Sequence, residues 1–158
     1  EQAVAPKSAA TDAVIDMRNF IDGQNWYNAE HDGRWSGPEK VSTLRLPGLA
    51  AGYYRLEFDI VDAMSRDILV GLTAKLDGKP LKLRGSKVFS GSKLRLPFTR
   101  RSKLTYPQLV TADVRLDGSE QGALLEISVP DIISPSTRGS NDLRHLGVRL
   151  RKITVAQK

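Results

Sequence analysis

The chain consists of short segments in which apolar and polar residues alternate. Residues 52–61 give the clearest example, because every second side chain is large and apolar while charged residues occupy the positions between them. The apolar positions are Tyr54, Leu56, Phe58 and Ile60, and the charged ones are Arg55, Glu57 and Asp59. Alternation with a period of two is typical of a β-strand with one buried face.

Similar patterns predict strands over 14–17, 41–46, 68–76, 93–97, 108–116, 122–130 and 147–155. Turn residues lie between several of these segments. Asp32-Gly33 predicts a hairpin over 26–36, and Asp77-Gly78 predicts one that continues into 80–83, since glycine accepts the positive φ of tight turns. No segment sustains the 3.6-residue period of a helix, so we expect less than about 10 % helix.

About eight to ten strands separated by Gly and Pro predict an all-β fold, a two-sheet antiparallel β-sandwich of the jelly-roll type. The 158 residues suffice for one domain with a substantial core. We expect residues 1–12 to form a linker or flexible N-terminus and residues 13–158 to form the single β-sandwich domain. Such folds place strands that are distant in sequence next to each other.

The net charge of +6 is concentrated in residues 75–103, which carry ten basic side chains and one acid, Asp77. A segregated basic segment attracts phosphates, acidic glycans or an anionic membrane surface. The alternative is a solvated set of strands and loops whose charges prevent edge aggregation. The candidate ligand-binding residues of this segment are Arg84, Lys87, Arg95, Arg100 and Arg101. Interleaved aromatic residues are few there, so nucleic acid is not an expected partner.

Catalytic and cofactor motifs are absent from the sequence. It has no cysteine, no phosphate-binding glycine-rich loop and no GxSxG motif. Its two histidines, His31 and His145, lack a ligand-spaced cluster of carboxylates. We therefore assign no catalytic residue, no metal site and no cofactor, and we expect the domain itself to be non-catalytic.

Two short sequences near opposite ends of the chain, 25–38 and 141–150, contain both tryptophans and both histidines. We expect Trp35 to be buried. Trp26 and Tyr27 are adjacent and would face opposite sides of a strand, so one of them is expected to be exposed, where its ring can stack on a sugar. We assign Trp26, Tyr27 and His31 to ligand binding.

Arg144 has a planar guanidinium that suits a carboxylate partner, and Glu30 is the natural candidate if the two end sequences are neighbours. This gives a structural clasp of Glu30, Trp35 and Arg144. If the pair is buried, Arg144→Ala would cost about 3 kcal/mol. Gly147, which precedes the last strand, is expected to permit a close backbone approach.

These end sequences also carry a resemblance. Glu30-x3-Arg34-Trp35-Ser36, followed later by Asp142-x-Arg144-x-Leu146-Gly147, resembles a β-sandwich domain of bacterial membrane enzymes that assemble envelope glycans. These enzymes include polytopic glycosyltransferases and phosphoglycerol-type transferases of the sulfatase-like class. The chain is also similar to the jelly roll of carbohydrate-binding modules. The resemblance implies an extracytoplasmic accessory module and transfers no ligand residues.

The function expected from the sequence is thus a non-catalytic module that binds or orients a glycan or lipid-linked glycan for a membrane-embedded enzyme. The expected partners are that glycan, the membrane domain of the larger enzyme and an anionic membrane surface. The expected location is periplasmic or otherwise extracytoplasmic, with a membrane tether in the full-length protein. The alternatives are a structural or protein-interaction domain of the same enzyme and a glycan-active enzyme.

Overall fold

A computed structural model gives the fold of the chain and describes residues 9–85 and 105–158. In these residues, strands account for 50 % and helix for 7 %. The elements are β1 (Asp12–Asp16), β2 (Gly23–Gln24), β3 (Arg34–Trp35), β4 (Val41–Leu46), β5 (Gly52–Ala63), α1 (Arg66–Val70), β6 (Thr73–Leu76), β7 (Lys79–Pro80), β8 (Arg84–Gly85), β9 (Gln108–Leu116), β10 (Ala123–Ser128), a 3₁₀ turn (Pro135–Arg138) and β11 (Val148–Gln157).

The strands form two antiparallel sheets that pack face to face. The first sheet has the order β1-β11-β5-β9-β8, and β3 pairs with the beginning of β11. The second sheet has the order β2-β4-β10-β6-β7. The predicted all-β, two-sheet antiparallel sandwich is confirmed. The predicted strand over 93–97 lies outside the described residues.

The core lies between the sheets and follows the alternation of the sequence. Tyr54, Leu56, Phe58 and Ile60 of β5 are at most 1 % exposed. The second sheet contributes the equally buried side chains of β4 and β10, among them Leu44, Leu46 and Leu125. Burying each large apolar side chain stabilises the fold by roughly 1.5–3 kcal/mol.

Two local predictions from the alternation are wrong. The predicted strand over 68–76 begins as helix α1, because the Ser65 hydroxyl accepts a hydrogen bond from the Ile68 N–H at 3.1 Å and caps a helical turn. The alternation predicts that Asp59 faces solvent from β5, but it is only 3 % exposed. Its carboxylate is 2.6 Å from the Arg151 guanidinium, beside a register shift between β11 and β5.

The sandwich has two ends that differ in structure. At one end β11 begins and β5 finishes, and the two short end sequences of the chain meet there. At the other end β5 begins, β9 finishes and the β6–β7 hairpin turns. The length of β11 separates the two ends by about 30 Å.

Candidate functional site

The end sequences meet through backbone hydrogen bonds. The 26–36 segment folds back on itself, with the Tyr27 N–H donating to the Trp35 carbonyl at 3.0 Å. Ser36 then exchanges bonds with the other end sequence, because its N–H donates to the Val148 carbonyl and its carbonyl accepts from the Gly147 N–H. A Cβ at Gly147 would lie 2.6 Å from the Ser36 hydroxyl oxygen, so this position requires glycine.

Arg144 joins the two end sequences by charge. Its guanidinium is 3.0 Å from a Glu30 carboxylate oxygen and 2.7 Å from an Asp142 carboxylate oxygen. The same guanidinium lies 5.4 Å from the centroid of the Tyr27 ring, and the Tyr27 hydroxyl accepts a hydrogen bond from the His145 N–H. The Arg144 and Glu30 side chains are 34 % and 32 % exposed, so this pair is only partly buried.

Arg149 extends the same network across β11 to β5. Its guanidinium contacts carboxylate oxygens of Asp32 at 3.2 Å, Glu30 at 3.5 Å and Asp62 at 3.6 Å. It also lies 5.2 Å above the Trp35 ring. We call the six charged residues of this end the clasp network. They are Glu30, Asp32, Asp62, Asp142, Arg144 and Arg149.

Trp35 is buried as expected, whereas Trp26 is more buried than a ligand-binding ring would be. Trp35 is 6 % exposed, but it lies beneath the clasp network and outside the cluster of side chains between the sheets. Trp26 is partly buried and packs against that cluster, and its indole N–H donates to the Thr43 carbonyl at 2.9 Å. Tyr27 is partly buried as well. Neither Trp26 nor Tyr27 therefore presents a free ring, whereas His31 is exposed on the turn of the hairpin.

Within the clasp network, Asp142 and Arg144 stabilise each other's charged form. The Arg144 guanidinium donates hydrogen bonds to Asp142 and so lowers the pKa of that carboxyl, while Asp142 raises the pKa of Arg144. Groups held in this way suit bracing better than proton transfer. Within residues 9–85 and 105–158, no group of three or more acidic or histidine side chains is placed to hold a metal ion.

A groove of about 740 Å³ opens at the opposite end of the sandwich. Its walls are the 47–53 segment before and into β5, the β6–β7 hairpin, and the 113–123 segment between β9 and β10. Leu49 and Leu81 supply apolar surface, while Asp77, Lys79 and Ser119 supply polar groups. Small-ligand sites are concave and combine apolar surface with a few polar groups, so this groove is a candidate site.

Tyr53 is the exposed aromatic residue of this groove, with 64 % of its surface accessible. Arg115, its cross-strand partner on β9, lies 5.9 Å from the ring centroid. We call Tyr53 and the charged residues around it on the outer face of the first sheet the Tyr53 patch. The charged members are Arg55, Arg84, Asp113, Arg115 and Lys158.

Asp113 connects the cations of the Tyr53 patch. Its carboxylate lies 3.3 Å from the Lys158 ammonium, 3.6 Å from Arg55 and 3.9 Å from Arg84. A hydrogen bond from Lys158 is the main cause that lowers the pKa of Asp113. Asp113 is thus favoured as an anion by the cations around it.

The structure separates the residues predicted to bind ligand. Trp26, Tyr27 and His31 lie at the clasp end. Arg84 belongs to the Tyr53 patch at the other edge of the first sheet, beyond β11, β5 and β9. The remaining predicted residues, Lys87, Arg95, Arg100 and Arg101, lie outside the described residues.

Tyr53 was missed from the sequence, although a signal was present. The alternation that places Tyr54 inward also places Tyr53 outward, in a row that otherwise holds charged residues. An aromatic residue on a solvent-facing strand position is a candidate for binding.

The fold is similar to that of a known class of protein. The native structure of a family 35 carbohydrate-binding module from Clostridium thermocellum matches with a TM-score of 0.51 and 9 % sequence identity. The match covers 94 % of this chain and 100 % of that module. No protein-family model and no curated protein matches the sequence. At this identity the likeness shows the fold, a β-sandwich of the kind that a carbohydrate-binding module has.

Proposed function

We propose that this chain is a non-catalytic glycan-binding module and that the groove with Tyr53 is its binding site. The observation that carries the proposal is the exposed Tyr53 ring at the edge of a 740 Å³ groove. An aromatic face stacks against the apolar face of a sugar ring, and nearby polar groups bond its hydroxyls. The likeness to a carbohydrate-binding module supports the same function.

The affinity of such a site is expected to be modest. One ring in an open groove buries only part of a sugar, so we expect dissociation constants near 0.1 mM, or about −5 kcal/mol. Weak binding by one module suits a domain that orients a glycan for another domain, since the tether raises the local concentration.

We further propose that the module is extracytoplasmic and serves a membrane-embedded enzyme that acts on a glycan or lipid-linked glycan. The support is the resemblance carried by Glu30, Arg34-Trp35, Asp142 and Arg144. None of the helices in the described residues is long and apolar enough to cross a membrane. The tether is tested by fractionating cells that express the full-length product: recovery with the membranes supports it, and a wholly soluble product contradicts it.

The binding site is tested by nuclear magnetic resonance titration with neutral and acidic envelope oligosaccharides. We expect shifts at Tyr53 and the groove, and Tyr53→Ala should abolish them. Phe20→Ala is the matched control, because Phe20 is 93 % exposed but lies in the 17–22 loop at the clasp end. Titrations without shifts at the groove, or binding lost in Phe20→Ala but kept in Tyr53→Ala, would contradict the proposal.

A second function has a specific observation in its favour. Phe20 and Leu143 are 93 % and 75 % exposed, and the loops that carry them are braced: Arg34 binds the Asn19 carbonyl and Arg144 binds Asp142. Exposed apolar side chains on rigid loops suit a protein–protein contact. This alternative predicts that the double replacement of Phe20 and Leu143 by serine weakens association with the enzyme's other domains while leaving glycan titrations unchanged.

A further inference from the structure

Tyr53 is surrounded by cations on the outer face of the first sheet. Arg115 is opposite it on β9 and lies 5.9 Å from its ring centroid. On the other side of Tyr53, the backbone N–H of Lys158 donates to the Tyr53 carbonyl at 2.9 Å. This bond places Lys158 next to Tyr53. Arg55 is the next outward residue of β5. A sugar stacked on the Tyr53 ring would therefore contact cationic side chains on several sides.

These cations outnumber the acids beside them. Asp113 is the carboxylate that Arg55, Arg84 and Lys158 share, and the pairs with Arg55 and Arg84 are 3.6 and 3.9 Å long. Pairs of that length are loose and exposed, so each contributes little stability and exchanges readily for another anion. With Arg115, the Tyr53 patch has four cations for one carboxylate.

The other acids of the region do not remove this excess. Asp77 and Asp117 line the groove, where Asp77 accepts a hydrogen bond from the Leu124 N–H of β10 and Asp117 accepts one from the Ser119 N–H of its own turn. Glu57 is one outward position further along β5, past Arg55. With Lys79 of the groove included, the described residues of this region provide five cations and four acids, so a small excess of positive charge remains beside Tyr53.

We propose that the glycan recognised at the Tyr53 patch carries an anionic group, a carboxylate or a phosphate, which binds among Arg55, Arg115 and Lys158. This inference rests on the proposed glycan-binding function and names the ligand class for the same site. The sugar ring stacks on Tyr53, and the anion replaces Asp113 as the partner of its cations. Planar guanidinium groups bind both carboxylate and phosphate.

The test compares ligands that differ only in charge. Nuclear magnetic resonance titrations would use tetragalacturonate and the same oligosaccharide after reduction of its carboxylates to alcohols, and glucose 6-phosphate against glucose. We expect each anionic ligand to bind about tenfold more tightly than its neutral counterpart, the factor that one charge-assisted hydrogen bond supplies. The two pairs distinguish a carboxylate from a phosphate as the preferred group.

Two substitutions of opposite sign sharpen the test. Arg115→Gln should weaken the anionic ligands about tenfold more than it weakens the neutral ones. Asp113→Asn should tighten the anionic ligands selectively, because it frees the shared cations. Lys75→Gln removes an exposed cation from β6 of the second sheet. It should change the affinity for neither the anionic nor the neutral ligands. Replacing a residue that only supports the fold would change the affinities for charged and neutral ligands alike.

The outcomes separate this inference from the function on which it rests. Equal binding of charged and neutral ligands at Tyr53 would overturn the anionic class and retain glycan binding. Titrations in which no oligosaccharide shifts the resonances of the groove residues would overturn both the anionic ligand class and the glycan-binding function. If inorganic phosphate or acetate binds as tightly as the matching sugar, the Tyr53 patch is only an ion site and the proposal is wrong. An unchanged affinity of Asp113→Asn for the anionic ligands would also contradict the proposal.

Discussion

Arg144 and Arg149 support the same end of the sandwich but differ in burial. Arg149 is 19 % exposed, contacts three carboxylates and covers Trp35. Arg144 is 34 % exposed and contacts Glu30 and Asp142. Removing a cation leaves its carboxylates uncompensated, and the cost rises with burial because water then replaces the lost partner less well.

We therefore predict that Arg149→Ala lowers the free energy of unfolding by about 3 kcal/mol and Arg144→Ala by about 1–2 kcal/mol. The value for Arg144 is below that expected of a fully buried pair, since the structure leaves both side chains partly exposed. Urea denaturation measures both. Lys75→Ala, which removes an exposed cation from β6, should change the midpoint little. The reverse order for Arg144 and Arg149 would contradict this account of burial.

Asp16 at the end of β1 gives a pH-dependent prediction. Hydrogen bonds from the Arg18 side chain and N–H lower its pKa from 3.8 to about 2. Because the folded pKa is below the unfolded one, the stabilisation is complete above about pH 4 and is lost as the pH falls towards 2. A carboxyl titration by nuclear magnetic resonance should find the midpoint near 2 and a return towards 3.8 in Arg18→Gln. A midpoint near 3.8 in the unmodified protein would show that the contact does not form.

At the scale of elements, alternation predicted the strands well, because a sheet with one buried face imposes a period of two. β4 and β9 have the predicted bounds, and the inward residues of β5 are those expected. Alternation does not predict the structure of a short apolar run that can also be buried as a helix. Ile68 and Leu69 lie in one helical turn that is capped by Ser65, and both side chains are buried. An apolar run of this length does not distinguish a helix from a strand.

The pairing of sequence-distant elements was harder to predict than the elements themselves. The expected proximity of Glu30 and Arg144 matches the contact in the structure, because those charges are complementary and flank segments with strand patterns. Nothing in the spacing of Asp32, Asp62 and Arg149 indicates that they share one site. They meet only because β3 and β5 both pair with β11, which is a property of the topology.

At the scale of the whole molecule, the rare residues of the sequence and the groove of the structure lie at opposite ends. Rare residues cluster in the end sequences, but Trp26 and Trp35 are used there to pack and brace the junction. The groove is built from loops of ordinary composition at the opposite end, and its concavity depends on three separate segments. Such a shape cannot be read from local patterns. The outward position of Tyr53 could be read, since it follows from the alternation of β5.

The two ends should therefore be functionally separable. They are about 30 Å apart along β11, whereas charges in solution are screened over roughly 8 Å at physiological salt. We predict that Tyr53→Ala abolishes glycan binding with an unchanged urea midpoint. Arg144→Ala should lower the midpoint while the dissociation constant stays within about twofold, because no direct contact couples the sites in the part of the chain that the structure describes. Measuring both quantities on both variants, under conditions where each remains folded, tests the separation. Loss of binding in folded Arg144→Ala with retention in Tyr53→Ala would instead place the ligand at the clasp end, beside Trp26, Tyr27 and His31.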